Sequence, residues 1–378
     1  MLVAVFGLAI LSACAPSIER RPVYAASQAS DALLRRQIDT VLTEHRVHTA
    51  AIGVLRDGKL VFEHYHGDAG GVPANAETRF DVASITKTVA AETLLRMVAD
   101  GKVDLDEPLY RYWVDPDIAG DARHRLLTPR LILTHRSGFP NWRFLRPGGK
   151  LAFERDPGSG YGYSGEGFNY LWRAIERKQG ASFPALVDRY LFKPLGIRNA
   201  RLTVDHADQQ NVALGIDETG KRYDPGCRPG FCWKDGEWSA AGGMLITLRD
   251  YSRIMSAIGD HTGYGTQLAM ERDRIVTDRG DEAVVDCSLY PTICPEAEGY
   301  GLGFVVVDQG QRRTIGHEGG DWSQLTLAYT HLPSRDGIVI FLNVPMLQGV
   351  TPMRDLVRLL DPTSPYASRF EKWASEAS

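Results

Sequence analysis

Strand-like sequence stands near both ends of this chain, with mostly helical and loop sequence between. Residues 50–55 and 59–65 read as strands around Asp57-Gly58, a dipeptide suited to a two-residue hairpin turn. Further strands are expected at 303–307, 312–315, 323–329 and 338–344, and helices at 129–134, 168–178, 183–192 and 248–258. Amphipathic helices at 31–46 and 352–360 flank the whole. The arrangement predicts an α+β fold: one antiparallel sheet whose first and last strands come from distant sequence, with helices covering its faces. A mainly helical subdomain, about residues 100–245, is inserted in a domain spanning 30–365, and 366–378 reads as a tail.

The chemistry centres on Ser84-Ile85-Thr86-Lys87. Residues three apart on a helix share a face, so the Lys87 amine can reach the Ser84 hydroxyl. That amine serves as a base only if burial or nearby positive charge lowers its pKa. The stretch that follows carries Ala90, Ala91, Leu94, Leu95, Met97 and Val98, an apolar surface too wide for a helix with a wet face, before Gly101 offers a cap. A serine and lysine at this spacing arise roughly once by chance in a chain of this composition, so the motif needs partners. Two candidates follow in order. Tyr163-Ser164-Gly165 sits in a glycine-rich loop, and His317-Glu318-Gly319-Gly320 lies between strand-like segments. Alone, the first is as well read as a turn with an aromatic anchor, and the second as a structural histidine.

Together, these three elements resemble the serine β-lactamase-like hydrolases of the class C type. That group includes class C β-lactamases, D,D-peptidases, D-aminopeptidases and carboxylesterases of family VIII type. The resemblance runs from about residue 30 to 360 and includes Phe80 to Lys87, Gly101 to Pro108, Leu131 to Gly138, Pro194 to Ile197, Ala240 to Leu245 and Gly299 to Phe304. It implies that Ser84 attacks a carbonyl to form an acyl-enzyme, with Lys87 and Tyr163 sharing the proton transfers. It also implies an oxyanion hole from the backbone N–H groups of Ser84 and Gly320, with His317 and Gly319 beside the substrate. Which of Lys87 and Tyr163 is the base stays open. Where the β-lactamases carry Tyr-x-Asn, this chain has Gly165; where they carry Lys-Thr-Gly, it has His317, whose charge depends on its surroundings. Both departures weaken recognition of a β-lactam or an acyl-D-Ala-D-Ala peptide, so ester or amide hydrolysis ranks first. A true β-lactamase or D,D-carboxypeptidase is the alternative, followed by a non-catalytic envelope or peptidoglycan-binding protein. Glu166, Glu318 and Arg279-Gly280-Asp281 read as solvated loop residues without a role.

Residues 2–13 are apolar or small and too few to span a bilayer, so they read as a secretory signal. Leu11-Ser12-Ala13-Cys14 resembles a lipobox, with residues 14–29 as spacer, although no basic residue precedes the apolar run. Lipidation at Cys14 would anchor the protein to a membrane, and Ala15 in place of Asp favours the outer membrane and a periplasm-facing domain. Cys227, Cys232, Cys287 and Cys294 form two close pairs, which in an exported chain read as local disulfides among three possible pairings. A net charge of −4 offers no basic field for nucleic acid, leaving a small molecule or peptide as the expected partner. The chain has no Gly-x-Ser-x-Gly elbow and no His-Glu-x-x-His spacing. No metal or cofactor is therefore expected.

Overall fold

The computed structural model describes residues 28–377, so the expected signal, Cys14 and most of the spacer lie outside the described residues. An eight-stranded antiparallel sheet organises the chain. Its strands are β1 (Thr49–Arg56), β2 (Lys59–Ala69), β3 (Val72–Pro73), β4 (Ala297–Tyr300), β5 (Val305–Asp308), β6 (Arg313–Asp321), β7 (Gln324–Leu332) and β8 (Gly337–Asn343). They lie in the order β4-β5-β6-β7-β8-β1-β2-β3. The expected joining of chain ends occurs at β1 and β8, which pair from Thr49↔Asn343 to Leu55↔Gly337. The β1–β2 hairpin turns through Asp57 and Gly58, both at positive φ (48° and 73°), as the dipeptide requires.

Six longer helices matter for the site: α1 (Gln28–Glu44), α2 (Thr86–Ala99), α3 (Gly165–Gln179), α4 (Leu248–Asp260), α5 (Val350–Leu360) and α6 (Tyr366–Ala377). One apolar core lies between the sheet and α2, α3 and α4 and takes in Ile85, Val89, Leu94, Phe168 and Phe341. The second lies on the opposite face under α1, α5 and α6, with Ile38, Leu327, Leu356 and Phe370. Every residue of α2 from Thr86 to Met97 is buried, including Lys87, Glu92 and Arg96. A helix apolar on all sides has no wet face, and here it runs between the sheet and the helical region. Gly101, at φ 66°, closes it as expected.

Two boundaries differ from expectation. Within the expected tail, residues 366–377 form α6, which buries Tyr366 and Phe370 completely. Glycines 319 and 320, expected to interrupt a strand, lie inside β6, which pairs continuously with β7 from Arg313↔Leu332 to Asp321↔Gln324. Residues 100–245 contain mainly short helical turns, α3 and the helix Phe183–Val187, continued by a π-helical turn at Asp188–Phe192. A small sheet formed by Arg79–Asp81, Leu245–Thr247 and Ala200–Arg201 ties this region back to the Ser84 turn.

Candidate active site

Ser84 lies in a 3₁₀ turn, Ala83–Ile85, that leads directly into α2. Ala83 holds φ 47°, a left-handed conformation that strains a residue with a Cβ, and its N–H donates to Asp81 Oδ1 at 2.8 Å. Lys87, one turn on, is fully buried. Its Nζ donates to Ser84 Oγ at 3.0 Å and to the carbonyl oxygen of Ala241 at 2.8 Å. It also stands 4.8 Å from the centre of the Tyr163 ring. Burial brings the amine down to about 7, against a smaller opposing pull from Asp321. Near neutral pH a large fraction of Lys87 is therefore uncharged.

The Tyr163 hydroxyl is hydrogen-bonded to Ser84, while burial pushes its pKa well up and keeps the phenol protonated. The loop holding Tyr163 is fixed by the segment 135–143. His135 Nδ1 accepts the Ser164 N–H at 3.1 Å, and its ring lies 4.4 Å from that of Tyr163. Ser164 Oγ donates to Pro140 O at 2.7 Å and caps α3 by accepting the Gly167 N–H at 2.9 Å. Gly165 donates its N–H to Asn141 Oδ1 at 3.0 Å. A Cβ at Gly165 would sit 2.5 Å from the Trp142 ring, so that indole fills the space a side chain would take.

Gly319 brings β6 against the Ser84 turn: a Cβ there would stand 2.6 Å from Val82 O and 3.2 Å from Ser84 N. His317 lies behind Tyr163, with ring centroids 6.1 Å apart. Its Nδ1 meets the Glu318 carbonyl, which can only accept, so Nδ1 carries the proton. Its Nε2 meets the Tyr300 hydroxyl and accepts from it in the neutral ring. Burial lowers His317 to about 4, so the ring is uncharged at neutral pH.

A cleft of about 230 Å³ opens over these groups. Ser84, Tyr163 and Gly320 line it together with Trp142, Trp238 and Trp322, whereas Lys87, His317 and Gly319 stand behind that lining. The structure thus brings Ser84, Lys87, Tyr163, Gly319 and Gly320 to one point and places His317 one layer back. Cys227–Cys232 and Cys287–Cys294 are both joined as disulfides, the first in the cleft wall. The two glutamates are not solvated. Glu318 is buried against Arg279, whose Nη2 donates to it at 2.7 Å, and Glu166 accepts from Arg143 Nε at 2.9 Å. Burying a charge without a partner is costly, which accounts for both pairings. Arg279, read from the sequence as a solvated loop residue, is likewise buried. His135 and Tyr300 lie in stretches that the sequence reading marked without assigning them a function.

A family model described as Beta-lactamase matches residues 34–355. The chain belongs to the beta-lactamase family. It is a serine hydrolase of that family. Esterase EstB of Burkholderia gladioli is 31% identical over 275 residues, which cover 60% of this chain and 69% of that protein. A D-aminopeptidase of Brucella anthropi is 27% identical over 310 residues, 75% of this chain and 53% of that protein. The octameric penicillin-binding protein homologue from Pyrococcus abyssi superposes with TM-score 0.68 at 20% identity, over 88% of this chain and 78% of that one. The D-amino acid amidase from Ochrobactrum anthropi SV3 superposes with TM-score 0.66 at 20% identity, over 87% and 99%. At that identity, both structures speak to the fold, which is shared across the family.

The lowered Lys87 pKa makes stability depend on pH. The unfolded amine titrates near about 10.4. Between about pH 7 and 10 the unfolded chain therefore binds more protons than the folded one, and stability rises with pH. Lys87→Met removes this contribution. The stability of wild type relative to Lys87→Met, from urea denaturation, is expected to climb across that window with a limiting slope of about 1.4 kcal/mol per pH unit. A difference that stays flat would show Lys87 to be charged in the folded chain.

Proposed function

We propose that this chain cleaves an ester or amide bond through an acyl-enzyme on Ser84, with Lys87 as the base. The observation that carries this reading is a wholly buried amine 3.0 Å from the Ser84 hydroxyl. In its neutral form, Lys87 takes the Ser84 proton as Oγ bonds to the carbonyl carbon. The carbonyl oxygen gains negative charge, and the N–H groups of Ser84 and Gly320 are the donors assigned to it. As the tetrahedral adduct collapses, the bond to the leaving oxygen or nitrogen breaks. The proton on Lys87 passes to that atom by way of the Tyr163 hydroxyl. Water then attacks the acyl-enzyme with the same groups acting in reverse.

The burial that supports Lys87 as base argues against Tyr163 in that role, because it stabilises the neutral phenol. Charge argues for the substrate class. His317 is neutral and stands behind the cleft lining, so it supplies no fixed cation to a β-lactam or peptide carboxylate. Esters and amides that need no cation at that position on β6 make no such demand. The names of two relatives, an esterase and a D-aminopeptidase, agree with that class.

Ser84→Ala is expected to abolish labelling by a serine-reactive phosphonate and to lower turnover of 4-nitrophenyl butyrate by about 10³-fold or more, with an unchanged thermal midpoint. Turnover that survives in this variant would make Ser84 structural. A cephalosporin hydrolysed as efficiently as the ester would shift the assignment to β-lactam hydrolysis.

The proposal places the enzyme in the cell envelope, held by a lipid on Cys14, on the strength of Leu11-Ser12-Ala13-Cys14. The expected intact mass of the mature N-terminal peptide is that of an acylated cysteine. An unmodified chain starting elsewhere would indicate an ordinary signal and leave the hydrolase reading standing.

A further inference from the structure

The cleft has a cation that the family motifs do not mark. Arg228 lies on a short hairpin, Cys227–Arg228 paired with Phe231–Cys232, whose ends are joined by the Cys227–Cys232 disulfide. This hairpin overhangs the cleft, and Arg228 is part of its lining together with Asp224, Cys227 and Trp233. The guanidinium carbon stands 5.3 Å from the centre of the Phe231 ring and 5.4 Å from that of Phe144. Phe144 belongs to the turn Arg143–Leu145, which Arg143 fastens to Asp115 at 2.7 Å and to Glu166 at 2.9 Å. Arg228 is therefore flanked by two aromatic rings, with its side chain about a third exposed.

Five charged side chains line the cleft: Asp81, Asp224, Arg228, Glu237 and Asp321. The four carboxylates are already occupied within the chain. Asp81 accepts the Ala83 N–H, Asp224 the Gln209 side-chain amide, Glu237 the Lys234 N–H and Asp321 the Trp322 N–H, at 2.7 Å for Asp224 and 2.8 Å for the other three. Arg228 alone makes no side-chain hydrogen bond to any described residue. Its nearest carboxylate oxygen, on Asp321, stands 3.9 Å away, beyond hydrogen-bond reach. Its one ion pair, with Asp321, is long and without a hydrogen bond, so a planar fork of five N–H donors flanked by two rings is left facing the cleft, a donor set suited to a planar, two-oxygen anion. Asp321 directly follows Gly320 on β6, which puts the fork near the proposed oxyanion site rather than at the far rim.

We propose that Arg228 binds a carboxylate carried by the substrate, so that the preferred esters or amides bear an anionic group a short chain away from the scissile carbonyl. The inference rests on the hydrolase reading and gives that site a substrate class. It also moves charge recognition from His317 on β6, which is neutral, to the disulfide-joined hairpin beside the end of that strand.

Three esters matched in chain length and differing in charge test it: 4-nitrophenyl hydrogen adipate, 4-nitrophenyl hexanoate and 4-nitrophenyl 6-aminohexanoate. The wild-type enzyme is expected to prefer the adipate to the hexanoate by about tenfold or more in kcat/KM, through KM, and to lose much of that preference in high salt. Arg228→Met keeps an apolar stem between the two rings and loses the charge, so the ratio should fall to near one. Arg228→Lys should recover part of it, because a single ammonium replaces a two-pronged donor. The thermal midpoint and Ser84 labelling by a phosphonate, measured on each variant, establish that fold and nucleophile are intact. A wild-type ratio of one, a ratio unchanged in Arg228→Met, or a preference for the 6-aminohexanoate would each overturn the inference while leaving Ser84 hydrolysis in place. Failure of all three esters together with absent Ser84 labelling would overturn the hydrolase reading, and this inference with it.

Discussion

Desolvation of one amine is the constraint on which the site is built. Lys87 keeps its Nζ out of water and holds it between Ser84 Oγ and the Ala241 carbonyl. Keeping a charge there would be expensive, and the amine responds by giving up its proton near neutral pH. The architecture follows from that requirement. Helix α2 is buried on every side from Thr86 to Met97, the sheet covers it from one direction and the helical region from the other. Ala83 accepts a left-handed backbone so that the chain can enter α2 with Ser84 at the cleft. Gly319 lets β6 approach the same turn more closely than any side chain would allow.

The groups behind the reacting centre are kept neutral or paired. His135 and His317, both buried, have their pKa values lowered, and each contacts a specific polar partner. Tyr163 packs on His135, and Tyr300 hydrogen-bonds His317. Two cations in that layer, Arg279 and Arg369, are both paired with Glu318 on β6. Two buried groups titrate near neutral pH: Lys87, where a proton has to move, and Asp81, which burial raises to about 7 and which holds the Ala83 N–H. The neutrality of His317 also explains why the first position of the third motif tolerates a histidine: the ring there acts as packing and as a hydrogen-bond partner for Tyr300.

Much of this was legible in the sequence, because the signals were local or periodic. Two strand-like segments on either side of Asp57-Gly58 marked the β1–β2 hairpin, and the wide apolar surface after Lys87 marked a buried helix. The strand containing Gly319 and Gly320 was obscured because paired glycines usually break strands; its reason is a tertiary contact with Val82 and Ser84. The charged look of the last residues hid α6, although Tyr366, Phe370 and Trp373 already spell an i, i+4, i+7 stripe. The Arg279–Glu318 pair joins residues 39 apart and has no pattern that a single sequence could reveal. The same holds for the contact of Arg228 with Phe144, 84 residues away in the chain.

The central claim, that burial makes Lys87 a neutral base beside Ser84, is tested most directly by the pH dependence of Ser84 acylation under single-turnover conditions. Stopped-flow phosphonylation of the wild type and of Tyr163→Phe separates the two candidate bases. The account predicts that the wild-type rate rises with pH through one apparent pKa near about 7. It also predicts that Tyr163→Phe is slower but keeps that midpoint. A midpoint near the ordinary lysine value, or one that disappears when the Tyr163 hydroxyl is removed, would contradict it.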